Sequence, residues 1–204
     1  MKLLKILILT WIINIFALSA LYSSETLKGM QIGSEDAPVS IIEYRSLTCS
    51  HCAEFSNETY PQLKSEFIDT GVVKFELRPF ALNAIDLNAF KLLHCADEAD
   101  FFALDKLLFN EQKKWIVTNP SDKVLENSTK ALGDYGILFG ISEDDYAECL
   151  NNEEITDFIL SERINGVENF DISSTPTFII NGEIFSGNKS FEELEKIILK
   201  KKAK

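Results

Sequence analysis

Cys49 and Cys52 are separated by Ser50 and His51, and this pair is the most chemically specific pattern in the sequence. Two thiols at this spacing can close into a small disulfide ring and open again, so they can serve as a redox couple. The same spacing also occurs in zinc sites, which means that the pair alone does not decide between redox chemistry and metal binding. The neighbouring sequence favours the redox interpretation.

The dithiol follows a predicted strand and opens a predicted helix. Residues 39–44 are an apolar, β-branched run of strand length. After it, apolar residues recur at helical spacing, namely Cys52, Phe55, Leu63 and Phe67. We expect Thr48 to cap this helix and Cys49 to lie in its first turn, where unpaired N–H groups and the positive end of the helix dipole favour an anion. Since the thiolate is the nucleophile, this position predicts a reactive Cys49.

His51 is expected to strengthen this effect. The chain has two histidines, and one of them lies between the two thiols. An imidazolium beside Cys49 would favour its thiolate, although an ordinary solvated histidine is the alternative. Each unit by which the pKa of Cys49 falls stabilises the thiolate by about 1.4 kcal/mol and makes the disulfide more oxidising by about 30 mV. These residues therefore favour a disulfide donor.

The N-terminus has the pattern of an export signal. Lys2 and Lys5 precede an apolar stretch over residues 6–21, and small residues lie near its end, namely Ala17, Ser19 and Ala20. We expect residues 1–20 to be a signal peptide that is removed, with an uncleaved anchor that tethers the domain to a membrane as the alternative. Export would place the cysteines in an oxidising compartment, where disulfides persist.

Cys95 and Cys149 remain once the dithiol is assigned. They are too far apart in sequence for a second C-x-x-C motif, and we expect them to form a structural disulfide. In the chain-entropy model such a bridge stabilises the fold by roughly 4 kcal/mol. The alternative is two buried free thiols.

The charge of the chain disfavours two classes of partner. The formal net charge is −12, and it becomes −14 when Lys2 and Lys5 are lost with the signal. Such an acidic surface repels nucleic acid and anionic lipid head groups. We therefore expect neither as a ligand.

The rest of the chain begins with strands and continues with helices. Residues 23–38 have the composition of an irregular lead-in, and Pro61 is expected to bend the helix that follows the dithiol. Residues 72–77 form a second predicted strand. Residues 82–165 then show helical periodicity, with one break at residues 119–121.

Local signals define several turns and helix ends. Ser142 and Asp145 form a predicted capping pair for the helix that carries Cys149. Residues 177–180 return to strand character, and Asn181 with Gly182 predicts a tight hairpin turn into another strand. A last helix with an apolar stripe follows.

This order of elements resembles the thioredoxin-fold DsbA family of secreted thiol oxidases over nearly the whole length that follows the signal. The matching residues are the Cys49-Ser50-His51-Cys52 motif, Thr175-Pro176 and Glu43. The resemblance implies an α/β fold, in which an all-helical insertion domain interrupts a thioredoxin fold. The implied domains are a signal peptide (1–20), a thioredoxin-like domain in two parts (21–81 and 167–204) and a helical insertion (82–166).

The resemblance also assigns roles to individual residues. Cys49 would be the sulfur that substrates attack, and Cys52 its buried resolving partner. Pro176 would be a cis-proline that, with Thr175, faces Cys49 and binds the substrate chain. Glu43 would lie beneath the dithiol and accept or relay the proton of Cys52, with an outward-facing strand glutamate as the alternative.

The implied activity is that of a periplasmic thiol:disulfide oxidoreductase. It would introduce disulfides into unfolded or partly folded exported proteins that contain cysteine. We expect no cofactor other than the redox-active disulfide and no metal, a DsbB-like membrane quinone reductase as the reoxidising partner, and a monomer. A subset of the family from alphaproteobacteria is similar in having a second, noncatalytic disulfide, as Cys95 and Cys149 would form.

Other readings stay open at this point. The residue before the proline is Thr175, where many oxidases of the family have valine and disulfide isomerases of the same superfamily often have threonine, so an isomerase or reductase is an alternative. A metal-binding module could use Cys49, His51 and Cys52, but a structural zinc site needs four convergent ligands. A holdase chaperone on an inactive scaffold is a third possibility. His94 is expected to be a polar residue of the helical block without a catalytic role.

Overall fold

The computed structural model of the chain describes residues 27–118 and 123–203. The predicted signal peptide, residues 1–20, and the predicted break at residues 119–121 lie outside the described residues. Among the described helices, none is long and apolar enough to cross a membrane.

Within the described residues, five strands form one mixed sheet. They are β1 (Met30–Ile32), β2 (Val39–Arg45), β3 (Val73–Pro79), β4 (Thr177–Ile180) and β5 (Glu183–Ser186). Their order across the sheet is β1-β3-β2-β4-β5, in which β2 and β3 run parallel and all other neighbours run antiparallel. Strands at both ends of the chain thus enclose a helical segment, which confirms the predicted α/β class.

β1 lies within residues 23–38, which were predicted to be an irregular lead-in. That prediction is wrong for Met30–Ile32. The strand has three residues and pairs at the edge of the sheet, with Met30 opposite Leu77. Three residues are too few to show the alternation by which strands are recognised in sequence.

The helix after the dithiol is interrupted twice. It consists of α1 (Ser50–Glu54) and α2 (Tyr60–Leu63), each followed by a π-helical turn, Phe55–Thr59 and Lys64–Ile68. Pro61 lies at the start of α2, and because proline has no N–H to donate, the regular ladder of hydrogen bonds is broken there. The π-helical turns on both sides of α2 were not predicted, and the bend at Pro61 stays a prediction.

Six helices follow β3 in the described part of the insertion. They are α3 (Ala84–Cys95), α4 (Phe101–Asn110), α5 (Gln112–Trp115), α6 (Val124–Ile137), α7 (Glu143–Asn151) and α8 (Glu153–Phe170), and α9 (Phe191–Lys202) follows β5. The predicted capping pair is present, since Ser142 and Asp145 each bond to the other's backbone at the start of α7.

The last insertion helix extends beyond the predicted boundary at residue 166. α8 continues to Phe170 and ends at Asp171, which has a left-handed φ of 52°. At Gly166 the helix approaches the sheet so closely that a Cβ atom would lie 3.0 Å from Cε1 of Tyr44. The helix therefore packs on the sheet through this glycine, and its end near residue 170 is a better structural limit than 166.

The hairpin brings the segment before β4 to the dithiol. Asn181 and Gly182 both have positive φ, 45° and 81°, as the predicted Asn-Gly turn requires. β4 pairs antiparallel with β2, which sets Phe178 opposite Glu43. The residues that precede β4 consequently lie beside the loop that follows β2.

One buried core joins the sheet to the helical insertion. Ile41 of β2, Phe55 and Leu92 of α3 belong to the same cluster of buried side chains. Trp115 of α5 is fully buried in it, and its indole N–H donates to the carbonyl of Leu108 at 2.7 Å. The insertion and the thioredoxin-like part therefore position each other.

A disulfide joins Cys95 at the end of α3 to Cys149 on α7, with the two Cα atoms 6.2 Å apart. The pairing that the cysteine count suggested is thus present. The bond ties together two helices of the insertion that are separated by 54 residues of sequence.

Replacing both Cys95 and Cys149 by alanine should lower the free energy of unfolding by about 2–4 kcal/mol, because the unfolded chain loses a long closed loop. Urea denaturation without reductant measures this difference. As a control, a Cys49→Ala/Cys52→Ala chain should lose a similar amount of stability when reductant is added. A loss below about 0.5 kcal/mol in the Cys95→Ala/Cys149→Ala chain would contradict the stabilising role.

Candidate active site

Cys49 itself is the N-cap of α1, which corrects the expectation that Thr48 caps the helix. Cys49 has extended backbone angles, φ −85° and ψ 124°, and its carbonyl accepts the N–H of Ala53 at 3.1 Å. The hydroxyl of Thr48 instead contacts the hydroxyl of Ser46 and accepts the Asn83 side-chain N–H, each at 3.1 Å. The side chain of Cys49 therefore has the position from which an N-cap residue accepts hydrogen bonds from the unpaired N–H groups of the helix.

Several donors stabilise the Cys49 thiolate and lower its pKa to about 5. The largest contribution is the thiol of Cys52, which donates to the sulfur, and partial burial opposes it. The hydroxyl of Thr175 and the backbone N–H groups of Cys52 and His51 lower the pKa further. Cys49 is consequently a thiolate at neutral pH.

Cys52 has the opposite character. Its side chain is fully buried, and burial raises its pKa well above the usual value for a thiol. The hydrogen bond to Cys49 and the negative charge of Glu43 raise the pKa of Cys52 further. Cys49 thus has the lowered pKa of a nucleophile, and Cys52 has the burial and raised pKa of a resolving thiol.

His51 affects Cys49 through its backbone. Its side chain is 69% exposed, and Nδ1 lies 3.3 Å from Oε2 of Glu54. The backbone N–H of His51, at the start of the helix, lowers the pKa of Cys49. We had expected the imidazole of His51 to lower it. The assignment of His51 as a catalytic residue stays a prediction.

Glu43 is fully buried on β2, so it is not the outward-facing glutamate that was the alternative. Burial raises the pKa of Glu43 to about 7, although the neighbouring Arg45 lowers it. Its Oε2 accepts a hydrogen bond from Nη2 of Arg45 at 2.9 Å, whereas its Oε1 has no partner among the described residues. A carboxyl group that titrates near neutral pH therefore lies close enough to interact electrostatically with Cys49 and Cys52.

Arg45 and Asp105 complete this buried cluster, and the sequence analysis missed both. Nη1 of Arg45 lies 2.8 Å from Oδ1 and 2.6 Å from Oδ2 of Asp105, which is on α4. The guanidinium also lies over the ring of Phe109, 4.8 Å from its centre. Arg45 was detectable in principle, because strand alternation places it on the same face as Glu43.

Helices of the insertion also hold the loop that leads to Cys49. The side-chain N–H₂ of Gln112, at the start of α5, donates to the carbonyl of Leu47 at 2.8 Å and to that of Cys49 at 3.1 Å. The carboxylate of Asp86 on α3 accepts the N–H of Leu47 at 2.8 Å. No local pattern indicates these contacts, because they join residues 39 to 65 positions apart.

Thr175 and Pro176 face the dithiol from the other side. The Thr175–Pro176 peptide bond is cis, as the resemblance implied. In its protonated form Cys49 donates its S–H to the carbonyl of Thr175 at 3.3 Å, whereas the hydroxyl of Thr175 stabilises the thiolate form and so helps to lower the pKa of Cys49. Binding of a substrate chain by Thr175 and Pro176 stays a prediction.

His94 is enclosed by aromatic rings of the insertion. His94 packs against the rings of Phe101 and Phe158, with centroids 5.5 Å and 5.1 Å away, and burial lowers its pKa to about 4. It contacts the aromatic interior of the insertion. Within the described ranges, no three His, Cys, Asp or Glu side chains converge in a way that could hold a metal ion.

The structure predicts a measurable effect of the Thr175 hydroxyl. Thr175→Val should raise the pKa of Cys49 by up to about one unit, because a donor to the thiolate is lost. The thiolate absorbance of reduced protein, followed against pH in the ultraviolet, measures this pKa. Thr175→Ser keeps the hydroxyl and should behave like the unchanged chain, so equal shifts in both variants would contradict the hydroxyl's role.

The sequence of the chain is similar to those of known proteins. A sequence model described as "Thioredoxin" matches residues 25–200. A Rickettsia conorii protein named as a protein-disulfide oxidoreductase is 32% identical over 166 residues, which cover 81% of this chain and 57% of that protein. The chain therefore spans little more than half the length of that relative.

Two solved structures have a similar fold. The crystal structure of Wolbachia pipientis alpha-DsbA1 is 29% identical, with a TM-score of 0.77, and the match covers 86% of this chain and 92% of that one. BdbD from Bacillus subtilis is 21% identical, with a TM-score of 0.72, and the match covers 86% of this chain and 94% of that one.

Proposed function

The chain belongs to the thioredoxin family, and we propose that it is a DsbA-like thiol:disulfide oxidoreductase that introduces disulfides into exported proteins. The match to the family model and the likeness to alpha-DsbA1 confirm the fold and the DsbA resemblance inferred from sequence. The observation that supports the activity most directly is the contrast between the two sulfurs. The pKa of Cys49 is lowered to about 5, whereas that of buried Cys52 is raised.

The proposed reaction begins with the Cys49–Cys52 disulfide. A substrate thiolate attacks the Sγ atom of Cys49, which forms a mixed disulfide, breaks the Cys49–Cys52 bond and releases Cys52 as a thiolate that takes up a proton. A second substrate thiolate then attacks the substrate sulfur of the mixed disulfide, so that the substrate gains a disulfide and Cys49 leaves as a thiolate. Cys49 is the better leaving group because its thiolate is stabilised.

The direction of transfer follows from the same stabilisation. Only the reduced form has a Cys49 thiolate, so the hydrogen bonds to this sulfur stabilise the reduced protein relative to its disulfide. A couple with a stabilised reduced form donates its disulfide to other thiols. This supports an oxidase, with clients that are unfolded or partly folded and contain cysteine.

Export and reoxidation are parts of the same proposal. The N-terminal lysines and apolar run support transport to the periplasm, where the Cys95–Cys149 bond would persist. The reduced enzyme would then be reoxidised by a membrane quinone reductase of the DsbB type. Quinone-dependent reoxidation in membranes, lost in the Cys49→Ser variant, is the result that would support this partner.

An isomerase or reductase is the second candidate. Thr175 favours the isomerase, because isomerases of the superfamily often have threonine before the proline. An isomerase would correct a protein with scrambled disulfides faster than it oxidises a reduced one. Comparing these two rates on the same client protein separates the candidates.

The reduction potential of the Cys49–Cys52 couple should lie well above the roughly −270 mV of thioredoxin. Equilibration with glutathione, followed by alkylation and mass spectrometry, measures it while Cys95 and Cys149 are followed separately. Cys49→Ser should abolish oxidation of a reduced, unfolded client, whereas Cys52→Ser should still react with a client disulfide but retain the mixed disulfide. A potential near that of thioredoxin would count against the oxidase and for a reductase.

A further inference from the structure

The buried Glu43–Arg45–Asp105 cluster connects the helical insertion to the dithiol. Glu43 and Asp105 are 0% and 4% exposed, and Arg45 between them is 2% exposed. Glu43 and Arg45 lie on β2, whereas Asp105 lies on α4. A charge provided by the insertion is thus in direct contact with the arginine that also contacts Glu43, the acid that interacts electrostatically with both cysteines.

The two acids do not share Arg45 equally. Asp105 receives Nη1 on both of its oxygens, at 2.8 Å and 2.6 Å, whereas Glu43 receives one bond at 2.9 Å. The arginine stays charged, so at least one of the acids must be ionised to neutralise it. The contacts favour Asp105 as that acid, and they leave Oε1 of Glu43 without a partner among the described residues.

We infer that Arg45 and Asp105 are positioning residues that keep Glu43 available as the proton acceptor of Cys52. Without Asp105, the guanidinium would be free to bind Glu43 with both of its NH₂ groups and hold it as a carboxylate of low basicity. With Asp105 present, Glu43 exchanges its proton near neutral pH. The inference rests on the proposed function, because it concerns a step of dithiol–disulfide exchange.

That step is the closing of the active-site disulfide from a mixed disulfide. The Cys52 thiol transfers its proton to the carboxylate of Glu43, and its sulfur attacks the Sγ atom of Cys49. The Cys49–Cys52 bond forms, the bond from Cys49 to the outer sulfur breaks, and the outer group leaves as a thiolate. When glutathione is the outer group, the overall reaction oxidises the protein dithiol and reduces oxidised glutathione to two molecules of glutathione.

Five ionisable groups act on Glu43 from the surrounding elements. They are Arg45 on β2, Asp105 on α4, Cys49 and Cys52 at the start of α1, and Tyr60 on α2. In the mixed disulfide Cys49 does not titrate, and burial raises the pKa of Tyr60 above its usual value and that of Cys52 well above the usual value of a thiol. A titration of the closing step near neutral pH therefore reports on Glu43 and on the two residues bonded in its cluster.

The test follows the closing step with oxidised glutathione and the purified chain. Samples are quenched with acid at successive times, and reduced, glutathionylated and disulfide-closed protein are separated by mass. The closing rate should rise with pH around a midpoint of about 7, the pKa of Glu43. In Glu43→Gln this rise should disappear.

The variants should shift the midpoint in opposite directions. Asp105→Asn removes a negative charge and should move it down by about one pH unit, whereas Arg45→Gln removes a positive charge and should move it up. Asp105→Glu should restore a midpoint near that of the unchanged chain. As a matched control, Glu76→Gln removes a buried carboxylate that is bonded to Arg78 at 2.6 Å, and it should leave the midpoint in place.

Loss of packing alone would slow the reaction without moving the midpoint, so an unshifted Asp105→Asn profile overturns the inference. A downward shift in both Asp105→Asn and Arg45→Gln also overturns it. If Arg45→Gln does not fold, the Asp105→Asn and Asp105→Glu pair decides. If oxidised glutathione converts the unchanged chain to neither the mixed disulfide nor the closed Cys49–Cys52 disulfide, the proposed function itself fails, and this result is distinct from an unshifted profile.

Discussion

The burial of the Arg45 guanidinium is the constraint on which the architecture of the site depends. Arginine keeps its charge in a folded protein, and a buried charge is strongly destabilising unless other charges compensate it. Glu43 from the same strand and Asp105 from α4 supply that compensation. Because Asp105 comes from the insertion, moving α4 away from β2 would break both of its contacts with Nη1 of Arg45 and leave the buried arginine with Glu43 alone of the two acids. The insertion is therefore fixed against the sheet at the point where the dithiol lies.

The same region shows how three distant segments build one reactive sulfur. The loop after β2 brings Cys49 to the N-cap of α1, the cis-proline loop adds Thr175, and the insertion holds the loop through Gln112 and Asp86. The Thr175 hydroxyl and the N–H groups at the start of α1 stabilise the thiolate directly, whereas Gln112 and Asp86 hold the backbone of the loop that carries it. Hydrogen-bond donors fixed in place before the reaction need no reorganisation when the charge forms.

Local patterns account for the parts of this structure that could be predicted from sequence. The strand before the dithiol, the Asn181–Gly182 turn and the Ser142–Asp145 capping box each depend on residues that are close in the chain. The prediction that Thr48 caps α1 was wrong because the Thr48 hydroxyl is bound by Asn83. The contacts of Asp105 and Gln112 could not be predicted because they join residues about sixty positions apart. Arg45 was predictable in part. Alternation along β2 predicts that its side chain lies on the same face as Glu43, but it does not predict the contact with Asp105. Tertiary contacts thus decide what the local signals leave open.

The four cysteines of the chain lie in three different chemical environments. Cys95 and Cys149 are bonded to each other, Cys52 is enclosed and protonated, and Cys49 is partly exposed and ionised. In mildly acidic solution an alkylating reagent would therefore modify a single sulfur of the reduced protein. The same feature makes Cys49 the residue most open to oxidation by peroxide, and Cys52 lies beside it, ready to convert a sulfenic acid back to the disulfide. The geometry that makes the sulfur reactive also supplies its protection from irreversible damage.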